Sequence, residues 1–311
     1  VVMNLMKRLV QHILLTFFAI SLALSCTDLD TGMDSDVDVS DFPWPRESYE
    51  AVWGSSPGNV FVVGTEGTIL NFIGSDWGKM SSGTKQTLTG VWGASGVQVF
   101  AIGMGGIILF YNGFFWDFME SPVNTNLTDI WGFGVRDVYV TDSAGHILRF
   151  DGVFWEPMEL PVELSLTGIW GSSQNNIYAV SSEGTILHYD GMEWSVQSEG
   201  NPALFAIWGL GPDAIYATGT GGTILRYDGE SWEPMQNNER KGLYGIWGTS
   251  ESNLYAVGIE GTILQYDGTR WETLPFSTEE NLSDIWISDR NDIYITGTFG
   301  TILIDSPDSE N

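Results

Sequence analysis

The chain has 311 residues and carries 40 Asp and Glu against 12 Lys and Arg, a formal net charge of −28 at pH 7. This acidic excess argues against nucleic-acid binding, which depends on Lys and Arg to neutralise phosphates, and against docking of the protein surface to anionic lipid. With a single cysteine, Cys26, the chain cannot form an intramolecular disulfide, so an ordinary hydrophobic core must stabilise the fold.

The N-terminal segment is typical of an export signal. Lys7 and Arg8 precede an apolar run at 13–24 that has the length of a signal-peptide core, which predicts a signal peptide over residues 1–25. A small-residue site lies directly before the lone Cys26, which predicts that this cysteine is lipidated and holds the protein in a bacterial cell envelope, at the outer membrane or cell surface. The alternative is ordinary cleavage, which would leave Cys26 as a free thiol.

A short acidic segment follows this site. Residues 27–42 (TDLDTGMDSDVDVSDF) contain six aspartates and few large apolar side chains, so 26–41 is predicted to be a flexible tether after the lipidated cysteine. Asp28, Asp30 and Gly32 have part of the spacing of a calcium loop, but the terminal Glu of an EF-hand is missing. A weak metal site is therefore the alternative for this segment.

Residues 42–305 contain a repeat with a period near 39 residues, the sequence signature of a repeat architecture. A first tryptophan recurs seven times, six times followed by Gly. An aromatic residue comes eight positions later, a Thr-Ile-Leu-like segment starts 15 positions later, and a second tryptophan comes 24 positions later in six repeats. The first tryptophans are Trp53, Trp92, Trp131, Trp170, Trp208, Trp247 and Trp286, and the second are Trp77, Trp116, Trp155, Trp194, Trp232 and Trp271.

Each repeat unit has the composition of four short strands. In the fourth repeat these are 166–171, 176–180, 184–190 and a strand that begins near 193, all rich in β-branched and aromatic residues. Asp-Gly or Asn-Gly pairs join the third and fourth strands in most repeats and suit hairpin turns that need positive φ. Seven units of four strands predict an all-β, seven-bladed β-propeller; a β-solenoid would have a shorter period.

The two ends of the repeat region complement each other. Repeat seven stops at Asp305, before its own second tryptophan, whereas Trp44 stands ahead of the first repeat. We therefore expect an N-terminal strand around Trp44 to complete the last blade and close the ring, with 306–311 as a short tail.

The unit WG…NIYAVG…GTILHYDG…W resembles the repeats of exported bacterial seven-bladed β-propeller lipoproteins, and is more distantly similar to BNR/Asp-box and photosystem II assembly-factor-like propellers. The resemblance covers 42–305 and implies the propeller fold. It implies little about function, because the shared residues are structural.

Candidate site residues are found where the repeat is broken, since a column occupied in every blade serves packing. Two positions before the first tryptophan the residue is Gly or Ala, except for an aspartate in blades three and seven, which stand roughly opposite each other across the channel. The link between the second and third strands carries acids and one aromatic residue. These departures predict a binding site for a cation or a cationic partner, the alternative being solvated loop charges. The candidates are Asp129, Asp284, Glu66, Glu183, Glu260 and Phe299.

No catalytic constellation is recognisable in the sequence. His146 and His188 have no Ser or Cys nearby in a nucleophile context. We therefore expect a non-enzymatic, monomeric lipoprotein without a cofactor, which binds a protein or glycan through one face of the propeller. Two alternatives stay open: a carbohydrate-active hydrolase or lyase that uses carboxylates on that face, and a propeller stabilised by calcium.

Overall fold

The computed structural model describes residues 47–275 and 278–306, which form 27 β-strands in seven antiparallel sheets. Blades one to four are β1 (Tyr49–Ser56), β2 (Asn59–Gly64), β3 (Ile69–Ile73), β4 (Asp76–Met80); β5 (Leu88–Ser95), β6 (Gln98–Gly103), β7 (Ile108–Tyr111), β8 (Trp116–Met119); β9 (Leu127–Gly134), β10 (Asp137–Asp142), β11 (Ile147–Phe150), β12 (Trp155–Met158); and β13 (Leu166–Ser173), β14 (Asn176–Ser181), β15 (Ile186–Tyr189), β16 (Trp194–Ser198). Blades five to seven are β17 (Leu204–Gly211), β18 (Ala214–Gly219), β19 (Ile224–Tyr227), β20 (Trp232–Pro234); β21 (Leu243–Ser250), β22 (Asn253–Gly258), β23 (Ile263–Tyr266), β24 (Trp271–Thr273); and β25 (Leu282–Ile287), β26 (Ile293–Gly297), β27 (Ile302–Asp305).

The predicted all-β, seven-bladed propeller is confirmed. Six blades have four strands and the seventh has three among the described residues, each sheet pairing its strands in chain order. The predicted signal peptide, Cys26, the acidic tether and the closing strand around Trp44 lie outside the described residues, so ring closure by an N-terminal strand stays a prediction. Within 47–275 and 278–306, no helix is long and apolar enough to cross a membrane.

The Trp-Gly motif has a packing explanation. A Cβ atom added to the glycine of one blade would lie 2.6 Å from the Trp53 ring at Gly93, 2.7 Å from the Trp92 ring at Gly132 and 2.7 Å from the Trp170 ring at Gly209. Each of these tryptophans therefore lies against the glycine that follows the first tryptophan of the next blade. At these seams only glycine leaves room for the indole, which explains why the two residues occur together there.

The second tryptophan packs between blades, as predicted for Trp194. It starts the fourth strand in blades two to six and lies against an aromatic residue of the third; the Tyr189 and Trp194 ring centroids are 5.3 Å apart. It also reaches the second strand of the preceding blade, where Trp116 lies edge-on to Phe61 at 6.2 Å. Because these large rings fill the wedge between neighbouring sheets, each contributes to two blades at once.

The ring has two distinct faces. The turns between first and second strands and between third and fourth strands lie together, as the bond from the Gly74 amide to the Gly58 carbonyl oxygen (2.9 Å) shows; we call this the hairpin face. The links between second and third strands lie beside the inter-blade segments, as the bond from the Met104 amide to the Thr87 carbonyl oxygen (2.9 Å) shows; we call this the link face.

Asp-Gly pairs make the outer hairpin turns. Asp151 Oδ1 accepts hydrogen bonds from the amides of Val153 (2.7 Å) and Phe154 (2.8 Å), and Gly152 has φ +98°. The glycine therefore has the predicted positive φ, while the aspartate acts through its side chain. The two residues after the glycine are held outside the core.

Candidate functional site

A β-bulge opens the first strand of every blade at the link face. In β1 the register passes from Tyr49 to Ala51 and leaves Glu50 as the extra residue, and the same shift occurs in the other six blades. Bulges re-aim side chains, and all seven bulge residues line the central channel. They are Glu50, Thr89, Thr128, Thr167, Phe205, Tyr244 and Ser283.

The channel encloses a cavity of about 210 Å³. The bulge residues surround one end, the residues two before each tryptophan come next, and the tryptophans lie farthest from that end. Asp129 and Asp284 are the channel-lining carboxylates of this second layer, and Glu50 adds a third carboxylate at the mouth. Among the described residues that line the cavity there is no Lys, Arg or His.

In one half of the mouth, the bulge residues form hydrogen bonds within the protein. The Thr89 hydroxyl donates to the Leu127 carbonyl oxygen of the next blade (2.7 Å), and the Thr167 hydroxyl donates to the Leu204 carbonyl oxygen of the next blade (2.9 Å). Thr128 shares a 2.9 Å hydrogen bond with Thr141 inside its own blade. The bulge residues of blades two to four are thus engaged with backbone or side-chain partners.

The other half of the mouth, in blades five, six, seven and one, has a different composition. Phe205 and Tyr244 form a tilted aromatic pair with ring centroids 5.2 Å apart. Glu50 is half-buried, burial raises the pKa of its carboxyl above the usual value, and the described part of the chain offers that carboxylate no hydrogen bond or ion pair. The mouth therefore presents two aromatic rings on blades five and six and, across blade seven, one carboxylate on blade one that has no partner among the described residues.

The two channel aspartates connect neighbouring blades. Asp129 accepts hydrogen bonds from the Ile169 amide of the next blade and from the Ile130 amide, both 2.8 Å. Asp284 in the same way accepts from Val52 (2.9 Å), across the seam between blades seven and one, and from Ile285 (2.8 Å). These residues, predicted as cation ligands, therefore also hold two blade seams together.

Burial raises the pKa of both aspartates to about 7, against the opposing effect of the amide hydrogen bonds. The charge of Asp284 raises the pKa of Asp129 further. The described residues that line this cavity include no Lys, Arg or His, so no basic side chain among them offsets this repulsion.

The predicted acids of the second-to-third-strand links do not line the channel. Glu183 accepts from the Ser165 amide (3.1 Å), and Glu260 pairs with Lys241 (3.1 Å). Glu66 and Phe299 are exposed, and both have positive φ, +55° and +54°. These four residues lie on the link face but belong to four separate blades, and only Asp129 and Asp284 of the predicted set share a cavity.

Neither His146 nor His188 lines the channel. His146 Nδ1 is 2.7 Å from the buried Asp142, whose carboxylate also accepts the His146 amide. His188 stacks on Tyr178 at 4.5 Å and bonds Asn176 at 2.7 Å, and burial lowers its pKa. Within 47–275 and 278–306 no group of three or more His, Cys, Asp or Glu is arranged to hold a metal ion.

The hairpin face carries exposed apolar side chains on neighbouring blades. They occupy the two positions after the turn glycine between third and fourth strands, where blades five and six have Glu-Ser and Thr-Arg. Phe114 is 87% exposed and Met192 is 86% exposed. We call this set the apolar arc; its members are Phe114, Phe115, Val153, Phe154 and Met192.

Sequence reasoning missed both the mouth residues and the apolar arc. The signal for the first is the column three before each tryptophan, which changes from Thr in blades two to four to Glu50, Phe205, Tyr244 and Ser283 elsewhere. The signal for the apolar arc is the pair of sequences Phe-Phe-Trp and Val-Phe-Trp, since other repeats carry a polar residue directly before the second tryptophan.

Comparison with solved structures agrees with this architecture. The chain is similar to a structure described as YCF48 bound to D1 peptide (16% identity, TM-score 0.71, covering 85% of this chain and 93% of that one). It is also similar to YCF48 from Cyanidioschyzon merolae (16%, 0.70, 86% and 97%) and to the WD40 β-propeller domain of Doa1 (14%, 0.72, 86% and 95%). No protein-family model matches the sequence, and the search of curated proteins gave no match. The chain is thus a seven-bladed β-propeller, and at these identities the likeness concerns the fold alone.

Proposed function

We propose that this propeller is a non-enzymatic binding scaffold that docks a protein partner through the apolar arc of its hairpin face. The observation that carries the proposal is the difference between blades at the two positions after the turn glycine. In every described blade the turn leaves both positions exposed, so a large apolar side chain such as Phe114, 87% exposed, gains little there from folding. Blades five and six fill the same two positions with polar residues, as solvent exposure favours.

The size of the arc suits a protein interface. Its three phenylalanines alone expose roughly 400 Å², taking about 200 Å² for a whole side chain. Exposed apolar patches of about 300–600 Å² are often functional, and a stable complex covers about 800 Å² on each partner. The arc would therefore supply the apolar centre of such an interface.

The charges beside the arc indicate the chemistry of the partner. Asp117 and Glu156 directly follow the aromatic turns of blades two and three, Glu193 follows Met192, and all three are exposed. Arg136 is the basic residue on the same face beside the blade-three turn. An acidic margin around apolar side chains fits a segment with both apolar and basic side chains, and opposes an acidic one.

The solved structure of YCF48 with D1 peptide is a propeller of similar fold that binds a peptide. This supports a protein partner for the present chain by analogy of fold, whereas the chemistry of the arc supports it independently. A glycan is the alternative partner, which exposed aromatic rings can also stack against.

Variants drawn from the chain's own repeats test the proposal. Phe114→Glu with Phe115→Ser installs the blade-five residues Glu230 and Ser231 in the same turn, so the fold is retained. We expect a partner captured by the wild type from an envelope extract to lose binding by tenfold or more. The control is Phe299→Glu, which changes an exposed Phe on the link face to the residue found at that position in blades one, four and six. Equal capture by all three proteins would overturn the proposal, and glycan-array binding lost with the same variant would replace the protein by a glycan.

A hydrolase or lyase is the second candidate, favoured by one observation. Asp129 and Asp284 share a cavity and have pKa values near 7, and a carboxylic acid with such a pKa can donate a proton to a leaving group at neutral pH. Cleavage of any member of a polysaccharide panel, abolished by Asp129→Asn, would support this function over the scaffold.

We further propose that the lipid on Cys26 attaches the protein to the bacterial envelope. The apolar run and small-residue site before this lone cysteine support the proposal. Cys26→Ser should release the protein from the membrane fraction into the soluble fraction. Continued membrane retention of this variant would exclude the anchor.

A further inference from the structure

We propose that the channel mouth on the link face binds an organic cation, an ammonium or guanidinium group at the end of an aliphatic stem, as lysine and arginine carry. This site is separate from the apolar arc. It is defined by Glu50, Phe205 and Tyr244 at the mouth, with Asp129 and Asp284 beneath.

Charge is the first reason. Three carboxylates line a cavity of about 210 Å³ whose described lining includes no basic residue. An unpaired buried carboxylate is costly, and the cost falls when a cation joins it. Asp129 and Asp284 accept backbone amides, but Glu50 has no such partner in the described residues, so it is the group with an open position for a donor.

The aromatic pair indicates an organic cation. A cation above the face of a Tyr or Phe ring is attracted by the ring quadrupole, whereas hard metal ions such as calcium take oxygen ligands. Phe205 and Tyr244, 5.2 Å apart, lie on blades five and six, and Glu50 lies on blade one, with only blade seven between them. Both aromatic rings and the Glu50 carboxylate line the same cavity, so a cation bound in this half of the mouth has aromatic and carboxylate partners available.

The size of the cavity limits the ligand to one small group. Pockets that enclose whole small-molecule ligands measure about 300–1,000 Å³, which exceeds this cavity. A single basic side chain with its alkyl stem fits the volume.

Architecture alone does not explain Glu50. At the same bulge position, Thr89 and Thr167 bond the next blade and strengthen the seam. Glu50 forms no such seam contact within the described chain, and its burial is unfavourable. Phe205 and Tyr244 do fill the seam between their blades, so Glu50 is the residue that best separates binding from packing.

Calorimetric titration of the full chain at pH 8 tests the proposal, with n-butylammonium and n-butylguanidinium as probes and n-butanol as the neutral control. We expect at least one cation to bind with a Kd on the order of 1 mM or lower, and the alcohol not to bind. A short peptide with one internal lysine distinguishes the source: tighter binding than the free amine points to a partner's side chain, and weaker binding points to a free small amine.

Substitutions locate the site. Glu50→Gln should weaken cation binding about tenfold or more, because a charge-assisted hydrogen bond is lost, and Tyr244→Leu should weaken it about two- to fivefold. Glu50→Thr installs the residue of blades two to four, so it should fold at least as well as the wild type and still lose binding. The matched control Glu66→Gln removes a carboxylate on the same face outside the channel and should leave binding unchanged.

Three results would overturn the proposal: no binding of either cation at 20 mM, about 20 times the expected Kd; equal binding by Glu50→Gln; or calcium binding that depends on Glu50 while neither organic cation binds. Because none of these measurements involves the apolar arc, failure here leaves the proposed docking function to its own test.

Discussion

Replacement of Gly132 by alanine should destabilise the propeller, whereas the same replacement at Gly134 should not. Both glycines lie in β9, two residues apart. A Cβ at Gly132 would be 2.7 Å from Cη2 and 2.8 Å from Cζ3 of Trp92, and 3.0 Å from the Asp137 carbonyl oxygen. At Gly134 no atom lies within 4 Å of the added Cβ.

The magnitude follows from these distances. Trp92 is 7% exposed and Gly132 is buried, so neither the ring nor the strand can move away freely. Overpacking of this kind costs about 1–3 kcal/mol, while glycine-to-alanine replacement in a strand by itself stabilises by roughly 0.5–1 kcal/mol. We expect a net loss of about 1–2 kcal/mol for Gly132→Ala and a small gain for Gly134→Ala.

Thermal unfolding followed by tryptophan fluorescence measures the difference. At about 2–4 °C per kcal/mol for a domain of roughly this size, Gly132→Ala should melt about 2–8 °C below the wild type, and Gly134→Ala at or above it. In a Trp92→Leu background, which removes the crowded ring atoms, Gly132→Ala should cost much less. A midpoint for Gly132→Ala equal to that of Gly134→Ala would refute the packing explanation of the Trp-Gly motif.

Three further outcomes are expected. Burial raises the folded-state pKa of Asp129 and Asp284 to about 7. Between about pH 4 and pH 7 the folded state therefore holds protons that the unfolded state has already released. The free energy of unfolding should fall as pH rises through this range, by up to about 4 kcal/mol per carboxylate. The double variant Asp129→Gly, Asp284→Ala, with residues that other blades carry, should lose this dependence in urea unfolding, and a persisting slope would refute it. Tyr294→Phe should lower the free energy of unfolding by about 1 kcal/mol, since its hydroxyl donates to the Pro57 carbonyl oxygen at 2.7 Å across the seam between blades seven and one; unchanged urea unfolding would contradict this. A chelator should leave the melting midpoint unchanged, and a clear drop would instead support a calcium-stabilised propeller.

The strands, the blade count and the role of the tryptophans could be predicted from the sequence because they follow from a repeated pattern. Because the pattern recurs in seven repeats, a position that holds tryptophan in nearly all of them, such as that of Trp194, can be assigned to packing. The closing strand around Trp44 was predicted by the same counting and still depends on an experiment.

The channel could be predicted only in part, for a geometric reason. Regular strands alternate their side chains, so a prediction that places Asp129 in the channel places its neighbour Thr128 on the other side. The bulge breaks this alternation, and Glu50, Phe205 and Tyr244 therefore line the channel as well. The sequence also could not show that Asp129 and Asp284 hold seams, because their amide partners lie 40 and 232 residues away.

In a repeat protein, residues at the same position of different blades can be compared with one another. At the channel mouth this comparison separates residues that stabilise the fold from residues that serve a ligand. Seven blades meet the same requirement at the bulge position, and Thr89 and Thr167 meet it with a bond to the next blade. Glu50 occupies that position with a half-buried carboxylate that forms no such bond among the described residues. Folding stability therefore does not explain why a glutamate is found there. Phe205 and Tyr244 are explained equally well by seam packing. Glu50→Thr is therefore the most informative substitution: stability that is unchanged or higher, together with lost cation binding, would show that this position serves a ligand at the expense of the fold.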